Sequence, residues 1–330
     1  MNPRVSRSDE GSGRSQRLEM DTVSELRELA APHGDIIVHL RSALANENAV
    51  ACWTKLQQIQ VEQLKTKALH TKDMEKNRYK DVLPYRHARV ILRDGGYINA
   101  SEIRDETCGP SRGSTPPYIA CQGPLKHTSG DFWDMIIERD IHDVVMLTGL
   151  VENGREKCYK YFEMDGRKHR VRCLRRSSVG GVDVRELEVQ RGSISHRVTH
   201  YQLMNWPDHG VPTCPDVLDP LLDVLYRNAK SDRTTVVHCS AGIGRSGVLI
   251  ALSVFALRVQ GLLAGGGTTG ARAEGDQGTA MVGTVKGDDR RCCSFVDIVA
   301  GMRNQRSGMV QTPIQLKFCI DAARRLLQLL

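Results

Sequence analysis

The stretch "TTVVHCSAGIGRSGVLIAL" runs from Thr234 to Leu252. Its first half, rich in β-branched residues and leading to His238, reads as a buried strand; its end reads as a helix. Between them lie Cys239, Ser240, Ala241, Gly242, Ile243 and Gly244, followed by Arg245 and Ser246. A strand, a tight glycine-bearing turn and a helix start aim several backbone N–H groups at one point. The helix end adds a partial positive charge there. Such a loop is an anion site. Gly242 and Gly244 let the backbone curl without a Cβ in the way. Arg245 supplies a planar fork for two oxygens of one phosphate. The same field favours the ionised form of Cys239. A thiolate on the floor of a phosphate cradle is placed for in-line attack on phosphorus.

Other readings compete. A lone cysteine is most often a small buried hydrophobe, and Cys and Arg with five residues between them do not by themselves displace that reading. An ATP-binding loop needs Gly-Lys-Ser/Thr at its end, which is missing. Adjacent His238 and Cys239 are poorly placed to chelate one ion. A Cys–His hydrolase stays open, with its base supplied from elsewhere in the fold. The Gly-x-Gly-Arg-Ser ending favours an oxyanion with three equatorial oxygens.

The chain has 330 residues, enough for a sizeable core, and its 26% charged content is that of a globular protein. A net charge of +7 favours acidic partners without marking a nucleic-acid binder. The N-terminus lacks the apolar core of a secretory signal, and Asn2 rules out N-myristoylation. The apolar run Gly247–Leu257 is too short to span a bilayer and meets Arg258. With ten cysteines and no Cys-x-x-Cys pair, the expectation is reduced thiols and a cytoplasmic or nuclear location.

Residues 1–21 read as a disordered tail. Thr22–Glu25 ("TVSE") is a capping box that opens a helix. Ile36, Ile37, Leu40, Ala43 and Leu44 form a second helical stripe; Val50, Trp53, Ile59 and Leu64 suggest a third. "YIAC" (Tyr118–Cys121) and "DVVMLT" (Asp143–Thr148) are buried strands, with a helix through Phe132, Trp133, Ile136 and Ile137 between them. Arg170–Cys173 and Val182–Val189 read as exposed or edge strands, and Asp216–Ala229 as a helix. The basic run Arg167–Arg176 reads as a solvated strand face. The glycine-rich segment from about 261 to 290 reads as a flexible insertion. Ser294–Asp297 and Thr312–Gln315 are further capping boxes, the second with Pro313 at its first helical position. Strands mixed with helices, without strict βαβ repetition, indicate an α/β fold around a mixed sheet.

"VHCSAGIGRSG" closely resembles the signature loop of the tyrosine-specific protein phosphatases. The resemblance extends, in the family's order, over "KNRYKDVLPY" (Lys76–Tyr85), "YINAS" (Tyr97–Ser101), "QGPL" (Gln122–Leu125), "DFWDMI" (Asp131–Ile136), "WPDHGVP" (Trp206–Pro212) and "QTPIQ" (Gln311–Gln315). It covers roughly residue 22 to the C-terminus. It implies one catalytic domain over 22–330, a twisted mixed sheet flanked by helices, phosphotyrosine-containing proteins as partners, and neither cofactor nor metal.

It also implies roles. Cys239 is the nucleophile; Ser240–Gly244 and Arg245 bind the phosphoryl oxygens. Asp208 protonates the phenolate and then activates water, with Trp206 as hinge or anchor. Tyr79 walls the pocket and excludes shorter phosphoserine, and Asp81 holds the substrate backbone. Gln311 positions the hydrolytic water. Gln315 resembles a second such glutamine but also fills the capping-box position opposite Thr312. Ser246 donates to the departing sulfur or caps its helix. His238 supports the loop without acting as a base, and Lys157 contacts the closed acid loop. Where the family often shows Tyr-Trp-Pro, this chain has Tyr161-Phe162-Glu163, and Cys121 replaces a usual threonine. The rivals are a phosphotyrosine-binding pseudophosphatase and a phosphatase acting on phosphoserine or lipid phosphates. Oligomeric state is not legible.

Overall fold

The computed structural model describes residues 21–66, 69–70, 72–105, 117–207, 210–265 and 293–330. The tail expected over 1–21 lies outside them except for Asp21, and most of the insertion expected near 261–290 also lies outside.

Three helices come first: α1 (Thr22–Ala30), α2 (Gly34–Ala45) and α3 (Ala49–Thr66). The first cap differs by one residue from the sequence reading: Asp21 is the N-cap and its side chain accepts from the Ser24 N–H. Asp and Thr both cap well, so adjacent candidates compete. The stripe on α2 buries Ile37, Leu40 and Leu44 as expected, whereas α3 buries Cys52 and Leu56 and leaves Val50 and Leu64 exposed.

The strands and remaining helices follow in the order β1 (Arg89–Ile91), β2 (Tyr97–Ile103), β3 (Tyr118–Cys121), α4 (Ser129–Glu138), β4 (Asp143–Met146), β5 (Val151–Glu152), β6 (Arg155–Glu156), β7 (Met164–Asp165), β8 (Arg170–Val179), β9 (Val182–Arg191), β10 (Ile194–Gln202), α5 (Asp219–Lys230), β11 (Thr235–His238), α6 (Gly244–Gly265), α7 (Phe295–Gln305) and α8 (Pro313–Leu329). Among the described residues one large sheet has the order β1-β2-β3-β11-β4-β10-β9-β8-β7. Its centre is parallel: β11 pairs with β3 and β4, and β10 pairs with β4. Both flanks are antiparallel. The expected mixed sheet flanked by helices is thus the observed fold.

Strand alternation explains the layering. Val237 of β11 joins the core made by α1–α3 and α5–α8, while Val236 joins the opposite core around α4, Phe132, Trp133 and Tyr161. A strand buried on both faces must be apolar throughout, as "TVV" is. Helix α6 is long and apolar enough to cross a membrane by length and composition, yet most of it is buried among the other elements. It runs unbroken to Gly265, so residues 261–265 belong to the helix and not to an insertion. Strand β8 exposes nearly every residue of the basic run, with Arg176 paired to Asp183 across the hairpin.

Candidate active site

Cys239 lies where β11 ends, at the floor of the loop that leads into α6. Gly242 has φ +73°, and a Cβ there would come 2.0 Å from the Cys121 carbonyl oxygen. Only glycine fits. Beneath the loop lies Arg306, fully buried. Its guanidinium donates to the carbonyls of Gly242 (2.9 Å) and Ala241 (2.9 Å), and to Asn99 Oδ1 (2.8 Å). In a trans peptide the C=O and N–H point opposite ways. Tying these two carbonyls downward therefore leaves the N–H groups of Gly242 and Ile243 facing the sulfur side. The Gly242 N–H does donate to Cys239 Sγ at 3.2 Å.

Arg245 enters α6 almost fully buried. Its Nη1 donates to the Leu147 carbonyl (2.9 Å) and to Glu152 Oε1 (2.7 Å), and its Nη2 donates to Glu152 Oε2 (2.6 Å). This two-pronged pair fixes the plane of the guanidinium. Glu152 Oε1 also accepts from Thr148 Oγ1 and the Gly149 N–H. Burial alone would raise this carboxyl, but the Arg245, Gly149 and Thr148 bonds override it and hold it below its usual 4.5. The Ser246 hydroxyl is buried with no partner, so the expected bond to the sulfur is not made in this state.

The blocks "KNRY", "YINA" and "QGP" meet through side chains. Asn77 Oδ1 accepts from Tyr97 Oη and Asn99 Nδ2. Gln122 accepts from the Arg78 N–H and donates to the Lys76 carbonyl. This network sets Tyr79 at the loop, where its hydroxyl lies 2.8 Å from Ser240 Oγ. Ser240 Oγ donates to the Lys157 carbonyl at 3.0 Å, so the Tyr79 O–H is the donor between them. Lys157 thus meets the loop through its backbone. Asp81 is exposed.

On the other side, Gln311 and Gln315 both reach Gly244: a Cβ there would lie 3.0 Å from Gln311 Oε1 and 3.2 Å from Gln315 Nε2. Their segment is pinned at Val310, whose φ of +55° is a strained value for a β-branched residue. The Val310 N–H donates to the Ile243 carbonyl, and Arg303 holds the Met309 and Val310 carbonyls. Thr312 caps α8 as expected, accepting from the Gln315 N–H. The Gln315 side chain takes no part in that box. Its Oε1 accepts from the Gln311 N–H, and its Nε2 donates to the Gly210 carbonyl at 3.4 Å. Trp206 is buried and donates from Nε1 to the same carbonyl at 3.0 Å. Trp206 and Gly210 flank Asp208, the expected general acid, which itself lies outside the described residues.

His238 opens a buried relay. Its Nδ1 lies 3.0 Å from the Cys239 carbonyl, which can only accept, so this nitrogen carries the proton. Burial holds the imidazole near pKa 4, hence neutral at pH 7, and Nε2 must accept. It accepts from Tyr161 Oη at 2.6 Å. Tyr161 in turn accepts from His200 Nε2 (2.8 Å), and His200 Nδ1 faces Arg185 Nη1 (3.3 Å). Burial also keeps His200 neutral. Every donor in the chain Arg185–His200–Tyr161–His238 therefore points toward the Cys239 carbonyl. Phe162, at the place where the family often shows Trp, packs with its ring centroid 4.9 Å from that of His200.

The structure thus gathers Cys239, the Ser240–Gly244 loop, Arg245, Tyr79, Gln311 and Gln315 around one point. Glu152, Arg306, Tyr161, His200 and Arg185 were not legible as site residues. Each acts through a partner distant in sequence, and no local pattern marks it.

Residues 73–262 match the model of the protein-tyrosine phosphatase family. Tyrosine-protein phosphatase 1 of Caenorhabditis elegans is 36% identical over 266 residues, covering 77% of this chain and 23% of that protein. Human tyrosine-protein phosphatase non-receptor type 4 is 38% identical over 259 residues, covering 76% of this chain and 25% of that protein. The chain thus spans about a quarter of these two relatives. It covers 72% of Arabidopsis thaliana protein-tyrosine-phosphatase PTP1, at 36% identity and over 78% of its own length. The crystal structure of the catalytic domain of human protein tyrosine phosphatase non-receptor type 18 superposes with a TM-score of 0.69 at 27% identity, covering 93% of this chain and all of that one. That protein, PTPN18, is also known in complex with HER2 phosphopeptides. With the cysteine loop, its arginine and the surrounding sheet all in place, the chain belongs to the protein-tyrosine phosphatase family.

Proposed function

We propose that this chain hydrolyses phosphotyrosine in proteins through a cysteinyl-phosphate intermediate. The observation that carries the reading is the Gly242 N–H aimed at the Cys239 sulfur, in a loop whose exit arginine is locked by Glu152. The Cys239 thiolate attacks phosphorus; the P–O bond to the phenol breaks as Asp208 gives the phenolate its proton. Loop amides and Arg245 hold the three equatorial oxygens. Asp208 then takes a proton from water positioned by Gln311, the water oxygen bonds to phosphorus, and the S–P bond breaks. Ser246, with its unpartnered hydroxyl, donates to the departing sulfur. Protein charges meet the phosphoryl oxygens, so the reaction as written requires no metal.

Residues 22–330 act as one catalytic unit, with Tyr79 setting pocket depth and Asp81 holding substrate backbone. The substrates are phosphotyrosine-containing proteins, as the PTPN18–phosphopeptide complexes suggest for that relative. The names of the non-receptor relatives favour an intracellular location. Phosphate release from phosphotyrosyl and phosphoseryl peptides, with Cys239→Ser as control, tests the reading. Rapid release from the first only, abolished by the substitution, supports it. Binding without turnover marks a pseudophosphatase, and equal rates on both peptides mark the broader enzyme.

A further inference from the structure

At the end of the sheet away from the cysteine loop, Asp140, His142 and His196 bring their ligand atoms within 4.8 Å of one another. His142 precedes β4, and His196 lies on β10 beside it. The hydrogen bonds of both imidazoles fix their tautomers. His142 Nδ1 lies 3.0 Å from the Arg197 carbonyl, and His196 Nε2 lies 2.8 Å from the Ile141 carbonyl. A carbonyl only accepts, so each of these nitrogens carries a proton. In the neutral rings the other nitrogens, His142 Nε2 and His196 Nδ1, present lone pairs. Both face the same carboxylate oxygen, Asp140 Oδ1, at 3.3 and 3.8 Å.

A positive charge belongs among these three atoms: a proton on one imidazole, or a cation bound by all three. We propose that this cluster is a binding site for a zinc-type divalent cation, held by His142 Nε2, His196 Nδ1 and Asp140 Oδ1. Backbone carbonyls that orient the distal ring N–H are the usual support of metal-binding histidines. Two imidazoles and a carboxylate with a fourth position open are a known zinc donor set. The two separations to Asp140 Oδ1, 3.3 and 3.8 Å, come near those an ion requires. A tetrahedral ion bonded at about 2.0–2.1 Å would hold its ligand atoms roughly 3.4 Å apart and two bound rings about 5 Å apart between centroids. The rings of His142 and His196 are 4.8 Å apart between centroids, with planes inclined by 29°. His142 and Asp140 are exposed, so an ion has access and the open position admits water. The ion would fasten the α4–β4 turn to β10. The site takes no part in phosphoryl transfer and stands independently of the proposed activity.

The test is zinc titration of the full chain, by calorimetry and by competition with a chromogenic chelator. Accessible thiols are alkylated first, because Cys173 and Cys214 are exposed and would compete. The parent should bind one zinc ion in the micromolar range or tighter and melt at a higher temperature with zinc than without. His142→Ala should weaken binding by about tenfold or more, at least the loss seen when only a supporting partner is removed. His196→Gln keeps a side-chain donor, and Asp140→Asn keeps a residue that tolerates the left-handed turn at φ +52°. Both should fold and should lose the ion and the zinc-dependent rise in melting temperature. Unchanged affinity in all three variants, or a parent that binds no zinc and so fills the gap with a shared proton, would overturn the assignment.

Discussion

Replacing Glu152 by glutamine probes the arginine of the cradle with little change in shape. The amide oxygen will take the Oε1 position, which accepts from Arg245 Nη1, Thr148 Oγ1 and the Gly149 N–H. The amide NH2 then occupies the Oε2 position, where Arg245 Nη2 lies 2.6 Å away and also donates. A charge-assisted hydrogen bond worth about 1.5–3 kcal/mol is lost and a donor–donor contact replaces it. The arginine side chain is only 3% exposed and that of its partner 16%, so water does not compensate fully. Breaking such a buried pair costs about 3–5 kcal/mol. The guanidinium can escape by rotating out of the plane that fits the phosphoryl oxygens. If about 3 kcal/mol of transition-state binding goes with it, kcat/KM falls roughly 100-fold. The assay is steady-state hydrolysis of a phosphotyrosyl peptide, with inhibition by vanadate as a measure of oxyanion binding; both should weaken together. Stability supplies a second reading. The folded carboxyl titrates below its unfolded value, so its contribution is present above about pH 4.5 and is lost as pH falls through the lower folded value. The difference in denaturant midpoint between parent and variant should therefore be larger at pH 7 than at pH 3. A variant with kcat/KM within about twofold of the parent would refute the reasoning.

Gly242→Ala must place a Cβ 2.0 Å from a backbone oxygen and adopt φ +73°, so the loop has to move by about 1 Å and activity should drop about 100-fold. Gly192→Ala, at φ +59° with nothing within 4 Å, is the matched control: it should cost about 1–2 kcal/mol of stability and leave kcat unchanged. Tyr161→Phe cuts the relay between His238 and His200; unfolding should show a loss of about 1–3 kcal/mol, and kcat should fall with KM little changed. Asp208→Ala should lower turnover by about 10²–10⁴ while peptide binding persists. EDTA should leave turnover intact, since amides and Arg245 carry the phosphoryl charge.

The sequence made the cysteine loop legible because its chemistry is local: strand, glycines, arginine and helix start fall within one short stretch. The same holds for β3, β4, α4 and α6, whose apolar patterns are strong. Strand β10 is not legible in the sequence, because its alternating polar residues resemble a loop until it pairs with β4 and β9. The seam of α3 departs from the apolar stripe in the sequence because Val50 and Leu64 lie on its outer face. Ser294 has the pattern of a cap and sits at the N-cap of α7, but its side chain makes no capping bond; Glu47, far away in sequence, accepts from the Phe295 N–H instead. Buried charges were the largest gap. Arg306 and Arg303 look like surface residues in "MRNQRSG", yet they hold the cysteine loop and the Gln311 segment by their carbonyls. Such roles exist only after distant segments meet.

Rapid mixing of the protein with a phosphotyrosyl peptide, acid quench within the first turnover and mass spectrometry of the digest test the attack on phosphorus. The phosphoryl group should be found on the peptide that contains Cys239, and it should decay at the rate of phosphate release. A phosphoryl group on His238 or another side chain, or none at all during sustained turnover, would contradict the account.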